Sequence, residues 1–274
     1  MTSFTDYRRL LRVEQWYKNL VLLFPLLFFE SARGGGAMLL AIFGFCCVSS
    51  MTYIINDWVD RVEDRHHPTK KDRPLASGRI SGKQAELVGV LLLIILIVIV
   101  SVLGWFYLWP VLIYFMATNA YSFGLKRIPF LDIMMIAGNF IMRMLGGMTN
   151  WPGLHEWGPF IFVFMLMLMF LSHKRRSDIK LLGKRKAYAH KAVLKYYRRP
   201  VVYVLRGFSY LGIAWGMYLM ELHWSSIVAL MLVILMTSYE FVQEAKLVMK
   251  PHHLLMRPRW SLSVFVAVAI LLFL

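Results

Sequence analysis

Acidic residues are scarce in this sequence. It carries 15 Asp and Glu against 31 Lys and Arg, and only 17% of its 274 residues are charged. With 59% apolar residues and a mean hydropathy of +0.58, the chain is too apolar for a soluble domain and reads as a membrane protein. A partner nucleic acid is excluded by the placing of the cations: they fall between apolar spans, as positive-inside loops do. Cysteine is nearly absent. Cys46 and Cys47 are adjacent within an apolar run, so spacing excludes a disulfide framework or a zinc site and leaves small core residues. No linker long enough to separate a pair of domains occurs. The first apolar stretch follows a charged, Trp-containing segment and has no small-residue cleavage site, so a removable signal is not expected. The expectation is one integral membrane domain over 1–274.

Long apolar runs are what the chain has in abundance. They fall at 19–30, 37–55, 86–106, 107–123, 129–149, 157–172, 201–220, 224–243 and 260–274, which predicts an all-α, polytopic bundle of about nine helices, with the 104–110 break (Gly104, Trp105, Pro110) the hardest boundary to place. The first and last runs are short for a core of about 30 Å. Residues 4–18 read as an interfacial helix with Trp16 and Tyr17 at headgroup level. With the amino terminus cytoplasmic, segments 1–18, 56–85, 124–128, 173–200 and 244–259 hold four, seven, two, eleven and four Lys and Arg, and the opposite loops hold only Arg33. That alternation orients the chain: both large basic loops, 56–85 and 173–200, belong to the cytoplasmic side of a plasma or inner membrane.

The chemistry concentrates in residues 53–78. After Tyr53, Ile54 and Ile55 come Asn56, Asp57, Asp60 and Asp64. Offsets of three and seven place the three carboxylates on one helical face, where they repel unless a counter-cation intervenes. Hard oxygen ligands of this kind suit Mg²⁺, which bridges one or two carboxylates to substrate phosphates. Arg65, Lys70, Lys71, Arg73 and Arg79 follow. Carboxylates for a metal, then cations for phosphate oxygens, read as a diphosphate site at a membrane surface. The plainer alternative is a solvated, salt-bridged helix end, with Asp57 paired to Arg61.

Asn56-Asp57-x-x-Asp60-x-x-x-Asp64, with Asp72-Arg73-Pro74-Leu75-Ala76-Ser77-Gly78 behind it, resembles the first aspartate-rich motif of the UbiA superfamily of membrane prenyltransferases. The resemblance implies a nine-helix bundle in which Asn56, Asp57, Asp60 and Asp64 hold Mg²⁺-diphosphate, the three aspartates being catalytic. Three stretches are similar to the branch of polyprenyl-phosphate phosphoribosyltransferases: Gln15-Trp16-Tyr17-Lys18-Asn19, His67-Pro68-Thr69-Lys70, and Tyr121-Ser122-Phe123-Gly124-Leu125-Lys126 with Asp132 beyond. That branch implies Mg²⁺-dependent transfer of 5-phosphoribosyl from phosphoribosyl diphosphate to a polyprenyl phosphate for the cell envelope. An orthodox prenyltransferase would use a prenyl diphosphate donor instead, and a lipid-binding protein or transporter would turn nothing over.

The family's second acidic motif is where this chain departs. His173-Lys174-Arg175-Arg176-Ser177-Asp178 offers one acid among cations, a balance that suits a donor or acceptor with an extra phosphate; an inside-positive anchor is the alternative. Lys18, Lys70, Arg73, Lys126, Arg143, Lys174 and Arg175 are the candidate phosphate ligands, with Tyr121 and Asp178 in support. Lys126 and Arg127, at the end of the fourth helix, read equally as snorkelling residues. Arg143 lies mid-span and must face a cavity or a partner. Asp132 reads as a ligand or as an acid favoured by its helix N-terminus. The doublets His66-His67 and His252-His253 lack metal-ligand spacing. Gly146-Gly147 suits close helix approach or leaves room for a lipid tail.

Overall fold

The computed structural model describes residues 3–65, 70–153 and 156–221, with positions 231, 234, 235 and 238. The expected spans at 224–243 (those four positions apart) and 260–274, and both His doublets, lie outside the described residues. These residues form helices and no strand beyond one isolated bridge between Ala32 and Met148. They divide into two compact units, residues 1–123 with 139–151, and 124–138 with 152–274.

In the first unit, α1 (Phe4–Leu10) starts on a capping box, with Ser3 and Asp6 satisfying each other's backbone N–H groups. The interfacial helix expected over 4–18 stops at Arg12, which takes a left-handed φ of 49°. Val13–Leu27 then winds as a 3₁₀ helix of 15 residues containing Pro25. At about 2.0 Å per residue it runs roughly 30 Å, against about 22 Å for the same residues in an α-helix. The apolar run at 19–30 gains reach by being wound more tightly. Trp16 is turned inward, its Nε1 donating to Ser50 Oγ at 3.1 Å.

Helix α2 (Gly35–Val59) ends one residue before the short α3 (Arg61–Arg65). Helix α4 (Gly82–Leu103) is opened by a second capping box, Ser81 with Gln84. The break after it falls at Gly104, whose φ of 88° favours glycine. Pro110, expected to lie within the break, sits inside α5 (Trp105–Phe123). Leu22, Phe45, Val48, Leu96, Tyr107 and Tyr114 share the core of this unit. Leu87, Val90, Ile94, Ile97 and Val98 of α4 stay exposed, as side chains meant for lipid would.

The unit boundary falls within α6 (Leu131–Gly146). Gly146, its last residue, and Gly147 just beyond serve close packing: a Cβ on Gly147 would come within 2.2 Å of the Leu22 carbonyl oxygen, and one on Gly146 within 2.2 Å of the Phe45 ring.

In the second unit, α7 (Gly158–Leu182) runs ten residues past the expected span end at 172, so Lys174 to Asp178 lie on a continuous helix rather than in a loop. It packs against α9 (Arg199–Leu219) at a glycine contact, where a Cβ on Gly216 would meet the backbone nitrogen of Phe162 at 2.7 Å. Helix α8 (Lys184–His190) and a 3₁₀ turn, Ala192–Tyr196, connect the two. Lys126 and Arg127 occupy a 3₁₀ turn, Leu125–Arg127, beyond the end of α5. Three described helices, α2, α4 and α7, are long and apolar enough to cross a membrane by length and composition.

Candidate active site

The acids of the first unit sit where α2 runs out. Asp60 caps α2 with its backbone still in the right-handed region, and Asp64 N–H donates to the Asp60 carbonyl at 2.9 Å. The winding is therefore kept across the hitch, and Asp57 and Asp64, seven residues apart, come to the same side. Both are buried, at 2% exposure each. A single Arg73 nitrogen lies 3.1 Å from Asp57 Oδ1 and 2.7 Å from Asp64 Oδ2. Arg12 adds a 2.6 Å contact to the same Asp57 oxygen, and Lys70 Nζ stands 3.7 Å from Asp64. Asn56 and Asp60 form a separate pair, Asn56 Nδ2 donating to Asp60 Oδ2 at 3.2 Å.

The Asp57–Arg61 pairing expected of a plain helix end does not form: Arg61 stacks over Trp58 with its guanidinium carbon 4.3 Å from the ring centroid, while Arg65 Nε donates to the Ala76 carbonyl. Arg73 is delivered by the loop behind the motif, where Arg73 N–H closes a turn on Lys70 and Leu75, Ala76 and Ile80 are buried.

The 3₁₀ segment carries Lys18 and, through Asn19, holds Arg143. Lys18 Nζ donates to Gln15 Oε1 at 2.7 Å, and Tyr53 OH donates to the same oxygen at 3.2 Å. Asn19, 1% exposed, accepts from Arg143 Nε at 2.8 Å through Oδ1 and donates through Nδ2 towards Cys46 Sγ. Arg143 also donates to the Asn139 carbonyl and to Tyr114 OH, so three of its five N–H groups are engaged within this unit. It is 5% exposed. Tyr121 lies in the last turn of α5, half-buried.

Among the described residues, no three of His, Cys, Asp and Glu gather as a metal cage. Asp57 and Asp64 nonetheless aim hard oxygens at one point, which Arg73 marks with its charged nitrogen. Mg²⁺ is ordinarily held by one or two carboxylates, with water and substrate phosphate completing a shell at about 2.0–2.1 Å. The pair fits that ion, which would take the cationic position Arg73 now fills; Asn56 and Asp60 are bonded to each other and not to this pair.

The second unit holds its own buried cluster. Asp132, fully buried, accepts from Arg175 Nε at 2.9 Å, from Lys191 Nζ at 3.2 Å and from Tyr197 OH. Tyr197 OH in turn accepts from the Phe130 backbone N–H at 3.3 Å. Burial, and then the adjoining Asp132 carboxylate, push the Tyr197 phenol above its usual range, keeping it a proton donor. Burial first, and the charge of Arg175 second, bring Lys191 down to about 8, with Asp132 pulling the other way. Asp178 stands 3.9 Å from Arg175, while Lys174 and Lys126 are half-buried. Arg12 and Asn19 in the first unit, and Lys191 and Tyr197 in the second, were not marked as candidates by sequence. Arg12 lies in an ordinary basic segment, and Lys191 and Tyr197 reach Asp132 across 59 and 65 residues.

The UbiA prenyltransferase family model matches residues 21–273. An uncharacterized protein, y4nM, of Sinorhizobium fredii is 36% identical over 165 residues, covering 59% of this chain and 32% of that protein. The decaprenyl-phosphate phosphoribosyltransferase of Mycolicibacterium smegmatis is 31% identical over 193 residues, covering 68% of this chain and 60% of the relative. The chain thus spans 32% and 60% of the length of these two relatives. A solved UbiA homologue from Archaeoglobus fulgidus, bound to GPP and Mg²⁺, superposes with a TM-score of 0.66 at 17% identity, covering 97% of this chain and 99% of that one.

Proposed function

This chain belongs to the UbiA prenyltransferase family, and from that premise we propose that it is a Mg²⁺-dependent membrane transferase that moves a 5-phosphoribosyl group from phosphoribosyl diphosphate to a polyprenyl phosphate. The observation that carries the choice of donor is the end of α7, where one carboxylate, Asp178, stands among Lys174, Arg175 and Arg176. A site short of acids holds fewer metal ions and more phosphate oxygens. The name of the M. smegmatis relative points the same way.

In this reading Asp57 and Asp64 hold the ion, with Asn56 and Asp60 supplying further oxygens. Bound Mg²⁺ supplies neutralisation of the diphosphate charge as that group leaves. Arg73, displaced from between the two carboxylates, and Lys70 bind diphosphate oxygens, as does Lys18 on its 3₁₀ segment. Arg143 is assigned to phosphate through its remaining donors while it fastens Asn19. Lys126, Lys174 and Arg175 are proposed as further phosphate ligands, with Tyr121 and Asp178 in support, on the strength of their place in the sequence; Arg175 is held by Asp132 within the second unit. The bond from the ribose anomeric carbon to the diphosphate oxygen breaks, its electron pair leaving with diphosphate. An oxygen of the lipid phosphate forms the new bond to that carbon. The attacking oxygen is already anionic, so no proton has to be removed.

The site is assigned to the cytoplasmic face of a plasma or inner membrane, in cell-envelope precursor synthesis. The test is an incubation of purified protein with labelled phosphoribosyl diphosphate, a polyprenyl phosphate and Mg²⁺. Label is expected in the lipid, and lost on chelation. Absence of labelled lipid from an active preparation that turns over a prenyl diphosphate would replace the donor.

A further inference from the structure

A second charged feature in the second unit is assigned no ligand in the reading above, and only Arg176 of its residues was counted there. From α7, His173, Arg176, Ser177 and Lys180 share one helical face, at offsets of three, four and seven. Arg199, Val202, Tyr203 and Arg206 repeat those offsets on α9 and face them across a cavity of about 220 Å³. Arg175 points away from this face, committed to Asp132. Among the described lining residues Arg176, Lys180, Arg199 and Arg206 are cations, and none is acidic.

Arg206 is the residue that makes this more than a basic surface. It is 7% exposed, and its Nε has no hydrogen-bond partner among the described residues. Its guanidinium carbon stands 5.8 Å from the centroid of the Tyr203 ring, so a ring contact replaces the missing acceptor only weakly. A buried guanidinium nitrogen without an acceptor is costly and asks for an occupant. The occupant must be anionic, because Arg176, Arg199 and Arg206 around one cavity otherwise repel. It must also accept several hydrogen bonds at once, since Ser177 and Tyr203 add hydroxyl donors to those of the arginines. The volume is below the roughly 300–1,000 Å³ of pockets for drug-sized ligands, which suits a compact tetrahedral oxyanion.

We propose that this cavity is a phosphate-binding site separate from the transfer site, taking either the phosphate of an anionic lipid headgroup or a free phosphate. Both sources offer the same chemistry to the arginines.

The test reads binding alone, so it stands whether or not the transfer reaction is as proposed. The protein and its Arg176→Gln/Arg199→Gln variant are compared with two probes. These are inorganic phosphate in solution, and phosphatidylglycerol in phosphatidylcholine vesicles, with bound lipid counted by native mass spectrometry. Arg176 is half-buried and Arg199 exposed, and an unchanged thermal midpoint without ligand verifies that the variant folds. Saturable binding that falls roughly 10- to 30-fold in the variant, at about one unit of electrostatic attraction per lost cation, is expected for one probe. Loss of phosphatidylglycerol retention identifies the lipid headgroup, and loss of inorganic phosphate binding identifies a free ligand. No saturable binding of either probe, or equal binding by protein and variant, overturns the site.

Discussion

Asp57 and Asp64 show how one residue can set the state of a site. Both carboxylates are buried and both are neutralised by Arg73, so the acids are held ready around a cation before any metal arrives. Asp57 also anchors Arg12, and a variant there would disturb the fold as well as the chemistry. Asp60 is the cleaner probe. Its one hydrogen bond in this cluster is accepted from Asn56, and Asp60→Asn keeps an acceptor oxygen in place while removing the charge. Transfer is expected to fall about 10- to 100-fold, in line with losses on removing metal-supporting groups, with the thermal midpoint unchanged; full activity would remove Asp60 from the site. Lys191 offers a second test at this scale. With its pKa brought down to about 8, its amine is about half neutral at pH 8, where an ordinary lysine near 10.4 is under about 1% neutral. An amine-acylating reagent should therefore mark Lys191 ahead of the other lysines at that pH, as read by peptide mass spectrometry; uniform labelling would contradict the depressed value. The sign of the linked effect follows. The unfolded chain binds the proton more readily, so this group's contribution to stability rises as pH goes up from about 8 to 10.5.

At the scale of elements, glycine placement decides how closely helices meet. Gly147, just past the end of α6, faces a backbone carbonyl at 2.2 Å from its would-be Cβ, whereas Gly138 within α6 meets nothing within 4 Å. Gly147→Ala is expected to lower stability by about 1–3 kcal/mol through overpacking. Gly138→Ala should be neutral or gain up to about 1 kcal/mol from helix propensity. Thermal denaturation of the two variants separates them, and similar shifts would contradict the close approach. Some of this architecture was visible in the sequence. The seven-residue offset of Asp57 and Asp64 survives a break in the helix between them because Asp60 keeps a helical backbone. The 3₁₀ winding of Val13–Leu27 was not legible, since its apolar pattern is that of any short span and only Arg12's left-handed backbone separates it from α1. Nor could a helix-terminal Asp132 announce its partners: Arg175, Lys191 and Tyr197 lie 43, 59 and 65 residues away, and no local pattern encodes such distances. The end of α7 was missed for a simpler reason. Charged residues halt a hydropathy run but not a helix, and six good helix formers carry the winding on to Leu182.

For the whole molecule, family and helical class are settled by the match over residues 21–273 and by the likeness to the A. fulgidus fold. Orientation rests on the alternation of basic loops. Cys46 and Cys47 are both buried, so a single introduced cysteine can report sidedness against a low background. Lys184→Cys, on the proposed cytoplasmic side, should resist a membrane-impermeant maleimide in intact cells, whereas Asn150→Cys should react; the reverse would invert the topology. The central claim is the donor, and the ratio of turnover with phosphoribosyl diphosphate to turnover with geranyl diphosphate tests it most directly. One preparation, with Mg²⁺ and a polyprenyl phosphate, is scored by the mass of the lipid product. The expected result is a lipid heavier by one phosphoribosyl group and no product from geranyl diphosphate. A prenylated product, with phosphoribosyl diphosphate left intact, would contradict the account.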